Sequence, residues 1–136
     1  MARVLVDTNV LLDVATEDPR WLEWSSKQLA VAMRSGGLAL NPVVYAEFSV
    51  HYAAIEDVEA ALSGLDLQRL SIPYEAAFLA GKVFKRYRER GGQRRAPLPD
   101  FFVGAHAAVQ GLTLLTRDAG RYREYFPKLK LVSPRL

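Results

Sequence analysis

Short, unbroken apolar runs alternate along this chain with longer stretches in which apolar residues recur every three or four positions. The runs at 3–6, 38–40, 67–71, 112–116 and 129–132 read as strands. The first has no polar alternation, so both of its faces are expected to be buried. Between the runs, the spacing predicts a short helix over 10–14 and a longer one over about 20–34, with Pro19 near its first turn and Gly36-Gly37 at its end. A third helix begins at Pro42, capped by Asn41, and continues toward Tyr52. Further helices are predicted over 55–62, from Pro73 to about Arg90, and from Leu98 to about Gln110. Gly91-Gly92-Gln93-Arg94-Arg95 reads as a loop. There is no repeat, low-complexity tract or linker, and 136 residues, half of them apolar, make one domain over 1–136.

Strands alternating with helices predict an α/β sandwich built on a parallel sheet with right-handed crossovers. In such sheets ligands bind outside the carboxyl ends of the strands. Four acids fall near that edge. Asp7 follows the first strand, Glu47 lies in the helix entered from the second, and Asp118 comes two residues after the fourth. Asp100 opens the helix that leads into the fourth strand and reaches the same edge if that helix runs antiparallel to the strands. All four are expected to gather in one pocket.

Clustered carboxylates repel one another, and a divalent cation removes the conflict. The chain has no cysteine and only two histidines, which excludes thiolate sites and disfavours an imidazole zinc site. Oxygen ligands favour Mg2+, or alternatively Mn2+. Asp7, Glu47 and Asp100 are expected to bind the ion directly or through water, and Asp118 to hold a second ion or orient a water. Thr8, Asn9 and Thr116 supply neutral hydrogen bonds around them. Taken singly, each acid also has a plainer reading as a turn, helix-start or solvent-facing residue.

The net charge is +3 and the pI about 9.3, with Lys82, Lys85, Arg86, Arg88, Arg90, Arg94 and Arg95 concentrated in one segment. A basic segment beside an acidic, metal-bridged site suits nucleic acid. Lys82, Lys85 and Arg86, with Arg94 and Arg95, are expected to guide an RNA backbone; a solvated helix face is the simpler alternative. Ala77, Ala80, Gly81, Phe84 and Tyr87 are expected to face the core from the same helix. Trp21 and Trp24 read as core residues or, where exposed, as part of a groove for a partner helix. His51 and His106 read as structural, with no catalytic role. Without a leader-like start or a membrane-length apolar run, the expectation is a cytoplasmic protein.

Val-Asp-Thr-Asn at 6–9, Asn-Pro-Val-Val-Tyr-Ala-Glu at 41–47, Pro-Asp-Phe-Phe-Val-Gly-Ala-His-Ala at 99–107 and Leu-Leu-Thr-Arg-Asp at 114–118 resemble the PIN-domain ribonucleases, in particular the VapC toxins of prokaryotic toxin–antitoxin pairs. The resemblance extends to the closing segment, Arg121-Tyr122 to Tyr125-Phe126-Pro127. It implies a three-layer α/β/α fold with a five-stranded parallel sheet. The implied activity is Mg2+- or Mn2+-dependent endoribonuclease action leaving a 3′-hydroxyl and a 5′-phosphate. Asp7, Glu47, Asp100 and Asp118 match the family's acids, and Thr116 its hydroxyl position. A homodimer and a cognate antitoxin are implied as well.

Three other functions compete. An aspartyl phosphatase would want Asp-x-Asp, whereas Asn9 stands at the second position. A phospho-accepting signalling domain would want adjacent acids after the first strand and a late lysine near the site. A non-catalytic RNA- or protein-binding module on a PIN scaffold is opposed by the presence of all four acids.

Overall fold

The computed structural model describes residues 2–92 and 98–134. Arg94 and Arg95, two of the five residues expected to guide RNA, lie outside the described residues. The described elements run β1 (Val4–Val6), α1 (Thr8–Ala15), α2 (Leu22–Ser35), β2 (Leu38–Leu40), α3 (Pro42–Ser49), α4 (Ile55–Leu62), β3 (Leu67–Arg69), α5 (Tyr74–Glu89), α6 (Leu98–Gln110), β4 (Thr113–Leu115), α7 (Gly120–Tyr125) and β5 (Leu131–Val132).

The five strands form one parallel sheet in the order β3-β2-β1-β4-β5, giving a three-layer α/β/α fold. Leu5 of β1 sits opposite Ala39 of β2 on one side and Leu114 of β4 on the other. Val4, Leu5 and Val6 are all buried, as expected of a strand covered on both faces. The edge strands β3 and β5 are half-buried or exposed. Chain order reverses direction across the sheet between β1 and β4, where the carboxyl ends of neighbouring strands open a crevice.

Local chemistry sets the helix starts that matter. Asp7 Oδ1 accepts from the Thr8 backbone N–H at 2.8 Å and so caps α1. Asn41 Oδ1 accepts from Val44 N at 2.9 Å, with Pro42 in the first helical position of α3. Asp18 Oδ1 accepts from both Arg20 N and Trp21 N, closing a turn that delays α2 until Leu22. After α2 the chain turns into β2 through Gly37, whose φ of 88° favours glycine.

Three expectations need correction. The short helix α7 was not predicted. On α5 the buried stripe is Ala76, Ala80 and Val83, while Gly81 is exposed and Ala77, Phe84 and Tyr87 are half-buried. The helix is rotated toward α6, with Tyr87 packing edge-on against Phe101 at 5.6 Å between ring centroids. Trp24 packs on the core, but Trp21 precedes α2, half-buried, and meets Trp24 edge-on at 6.1 Å. Among the described residues no helix is long and apolar enough to cross a membrane.

Candidate metal centre

Asp7 leaves the sheet at the end of the central strand. It is 5% exposed, yet its carboxylate is fully engaged. Thr116 Oγ1 donates to Asp7 Oδ2 at 2.9 Å and Tyr122 Oη donates to the same oxygen at 3.0 Å. Burial nevertheless raises the Asp7 pKa to about 6, with the neighbouring Asp100 charge adding to the rise; the hydroxyl donors only partly offset it. An acid so placed is stable when protonated or when a cation replaces the proton.

Glu47 projects from α3 and accepts at Oε1 from Thr8 Oγ1 at 3.0 Å. Its pKa is raised, chiefly by burial and further by Asp100. Asp100 occupies the first turn of α6, whose start lies at the sheet's carboxyl edge because the helix then runs back into β4. Burial raises its pKa too, against the lowering influence of Arg121, which donates from Nη1 to Asp100 Oδ2 at 2.7 Å. Asp7, Glu47 and Asp100 each present one oxygen such that all three lie within 4.8 Å of one another. Three hard oxygen donors under mutual repulsion suit a small divalent cation such as Mg2+ or Mn2+.

Asp118 is placed differently. It lines the same cavity of about 370 Å3 as the other three acids, but it is exposed and stands outside the converging trio. Its backbone N–H donates to Thr116 Oγ1 at 3.1 Å, tying the turn that carries it to Asp7's own hydrogen-bond donor. The expectation that all four acids share one pocket holds for the cavity, whereas the converging oxygens belong to three.

Neutral residues surround these acids. Thr8 and Thr116 bond to Glu47 and Asp7, and Asn9 bridges the β1 and β4 turns. Its Nδ2 donates to Thr116 Oγ1 at 3.4 Å, and its Oδ1 accepts from Arg117 N at 3.2 Å. His106 is buried between Asn41 Nδ2 at 3.0 Å from its Nδ1 and Gln110 Oε1 at 2.6 Å from its Nε2. Asn41 donates to one ring nitrogen and the other donates to Gln110, so a neutral imidazole fits; burial lowers its pKa. His51, also read as structural, is instead exposed and lines the cavity.

A family model described as the PIN domain matches residues 4–126. The chain belongs to the PIN domain family. Among proteins with curated descriptions, none matches it. Solved structures share the fold of this PIN domain over nearly its whole length. VapBC2 from Rickettsia felis bound to a promoter DNA fragment is similar at a TM-score of 0.73 and 18% identity, covering 96% of this chain and 97% of that one. DNA-bound VapBC from Salmonella typhimurium gives 0.69 and 20%, covering 98% of each chain. FitAcB from Neisseria gonorrhoeae gives 0.66 and 17%, covering 94% of this chain and 95% of that one.

The sequence reading of this PIN domain gave no role to two residues of the cavity, Arg121 and Tyr122. A signal existed: Tyr122, Tyr125 and Phe126 sit at i, i+3 and i+4, an apolar face that buries all three against the core. Lys82, Lys85 and Arg86 are exposed on α5, and none lines the acidic cavity.

Proposed function

We propose that this PIN domain is a divalent-metal-dependent endoribonuclease and the toxin of a toxin–antitoxin pair. The observation that carries the reading is the convergence of Asp7, Glu47 and Asp100 oxygens within 4.8 Å at the carboxyl edge of the sheet. The raised pKa values of all three acids support it, because each marks a charge that a cation would relieve. The shared fold with the VapBC and FitAcB toxins supports the toxin assignment.

Asp7, Glu47 and Asp100 would hold Mg2+ or Mn2+. Such an ion polarises a phosphoryl oxygen and lowers the pKa of water. The chain's own residues then divide the remaining work. Thr116 and Tyr122 keep Asp7 aimed by donating to its Oδ2, and Thr8 fixes Glu47. Asp118, at the exposed mouth, accepts a hydrogen bond from the attacking water and orients it toward phosphorus. Hydrolysis proceeds without a covalent enzyme intermediate and leaves a 3′-hydroxyl and a 5′-phosphate. Lys82, Lys85 and Arg86, with Arg94 and Arg95, guide the RNA backbone. A cognate antitoxin and a second copy of the chain are its protein partners, in the cytoplasm.

Purified protein incubated with structured and single-stranded RNAs decides the matter. Cleavage is expected with Mg2+ or Mn2+, is abolished by chelator, and is lost in Asp7→Asn and Asp100→Asn. Cleavage surviving chelation and both substitutions would reject the reading in favour of a contaminant or another chemistry.

A further inference from the structure

Among the described residues, Arg121 is the one lysine or arginine that lines the acidic cavity, and it stands in the first turn of α7. Its guanidinium pairs with Asp100 Oδ2 at 2.7 Å, the Arg121 and Asp100 side chains being 40% and 31% exposed. Asp100 is also one of the three converging acids. The same carboxylate is therefore claimed twice, by a built-in cation and by any divalent ion the trio accepts.

Two cations drawing on one carboxylate repel each other across a few ångströms, so their binding is coupled negatively. A part-exposed ion pair holds weakly against such competition, since water solvates the guanidinium once it leaves. Arg121 also has somewhere to go. It lines an adjoining hollow with Arg90, Glu124, Tyr87 and Tyr125, where Arg90 packs over the Tyr125 ring at 5.5 Å and pairs with Glu124 at 3.4 Å. That exposed pair is weak, so a polyanion reaching the acidic cavity from that side can engage both guanidinium groups, whose planar forks match phosphate oxygens.

We propose that Arg121 is a displaceable counter-ion: it pairs with Asp100 in the metal-free protein, is released by the divalent cation, and then binds a phosphate of the RNA strand on the Arg90 side of the cavity. This rests on the metal-dependent nuclease reading and assigns Arg121 a substrate-positioning role within it. Among the described residues that line the cavity, Arg121 is the one counter-ion to its four acids.

Calorimetric titration of Mn2+ into the full chain, without RNA, tests the first half. Arg121→Gln is expected to bind Mn2+ about 5-fold more tightly than the parent, with Arg121→Lys between them. Steady-state cleavage at saturating Mn2+ tests the second half. Arg121→Gln should raise KM about 10-fold with little change in kcat, and Arg121→Lys should recover part of the loss. Far-UV circular dichroism confirms that both variants fold. Equal or weaker Mn2+ binding by Arg121→Gln, with cleavage by the parent intact, overturns the counter-ion role and leaves the nuclease reading standing. Tighter binding with an unchanged KM overturns the phosphate contact. Absence of Mn2+ binding in parent and variants alike removes the metal reading and this inference together.

Discussion

Asp7 is where the energetics of the site are most exposed to measurement. Its carboxylate is buried and titrates at about 6 rather than near 3.8, so the metal-free folded protein holds a proton there that the unfolded chain has already released. A raised acid pKa contributes stability at low pH that is lost as pH climbs through the interval from about 4 to 6. The shift corresponds to roughly 3 kcal/mol at neutral pH. Asp7→Asn removes the charge, but with its amide oxygen kept under the Thr116 and Tyr122 hydroxyls its NH2 faces the Thr8 N–H and cannot accept from it, a loss of about 1 kcal/mol. In chelator, urea denaturation at pH 7.5 should therefore find Asp7→Asn about 1–2 kcal/mol more stable than the parent, the difference closing by pH 4. A variant less stable than its parent at every pH would show that the buried charge carries no such penalty. The same variant should have no measurable RNA cleavage, so stability and activity move in opposite directions.

At the scale of elements, the turn after β4 is held by an ion pair whose carboxylate is buried and whose guanidinium is part-exposed. Arg117 donates from Nε and Nη2 to the two oxygens of Asp13 at 2.8 and 2.9 Å, and Ser25 Oγ donates to Asp13 Oδ2 at 2.7 Å. The guanidinium also covers the Trp21 ring at 5.2 Å. One arginine thus ties α1, the start of α2 and the Thr116–Asp118 turn into a unit. Asp13 is 2% exposed whereas the Arg117 side chain is 29% exposed, so the two truncations should cost differently. Arg117→Ala strands a buried carboxylate and should lose about 3 kcal/mol. Asp13→Asn leaves an arginine that water can reach and should lose about half as much, both read by urea denaturation. Equal losses would rule out carboxylate desolvation as the cause. None of this network was legible in the sequence, because its partners are distant in the chain and Asp13 sits among the apolar residues Val10, Leu11, Leu12 and Val14 of α1. What was legible was local: Asn41-Pro42 announced α3, an unbroken Leu-Ala-Leu announced β2, and Leu98-Pro99-Asp100 announced α6. The helix α7 was hidden by its six-residue length and the absence of a side-chain cap. The acids were legible because Asp7 and Asp118 follow strands, Asp100 opens a helix and Glu47 lies in the helix entered directly from β2; Arg121 was not, because its role depends on where α7 lies.

Over the whole molecule, charge is sorted rather than spread. Four of the 15 acids line one cavity, so the rest of the chain carries a positive excess larger than the net +3. On the proposed nuclease reading, a polyanionic substrate would be drawn to the body of the protein and repelled from the acidic pocket until a divalent ion offsets most of its local negative charge. RNA affinity should consequently fall as monovalent salt rises, and charge reversal at Arg94 and Arg95 should flatten that slope; binding unchanged over several ionic strengths would remove their role. On the proposed metal reading, proton and metal would compete for the same cavity, and the sign of that competition is fixed by Asp7. Below about pH 6 its carboxyl is protonated in the folded protein, and the ion must displace that proton to bind. Metal binding only to the folded state raises stability by about 2.7 kcal/mol at a concentration 100 times Kd. Scanning calorimetry with a fixed excess of Mn2+ should therefore show a Tm increase of several degrees at pH 7.5 that falls to about half at pH 5. In Asp7→Asn the increase should be small at both values, since neither the charge nor its titration remains. A Tm rise as large at pH 5 as at pH 7.5 would mean that the ion binds elsewhere, among carboxylates that are already ionised in acid.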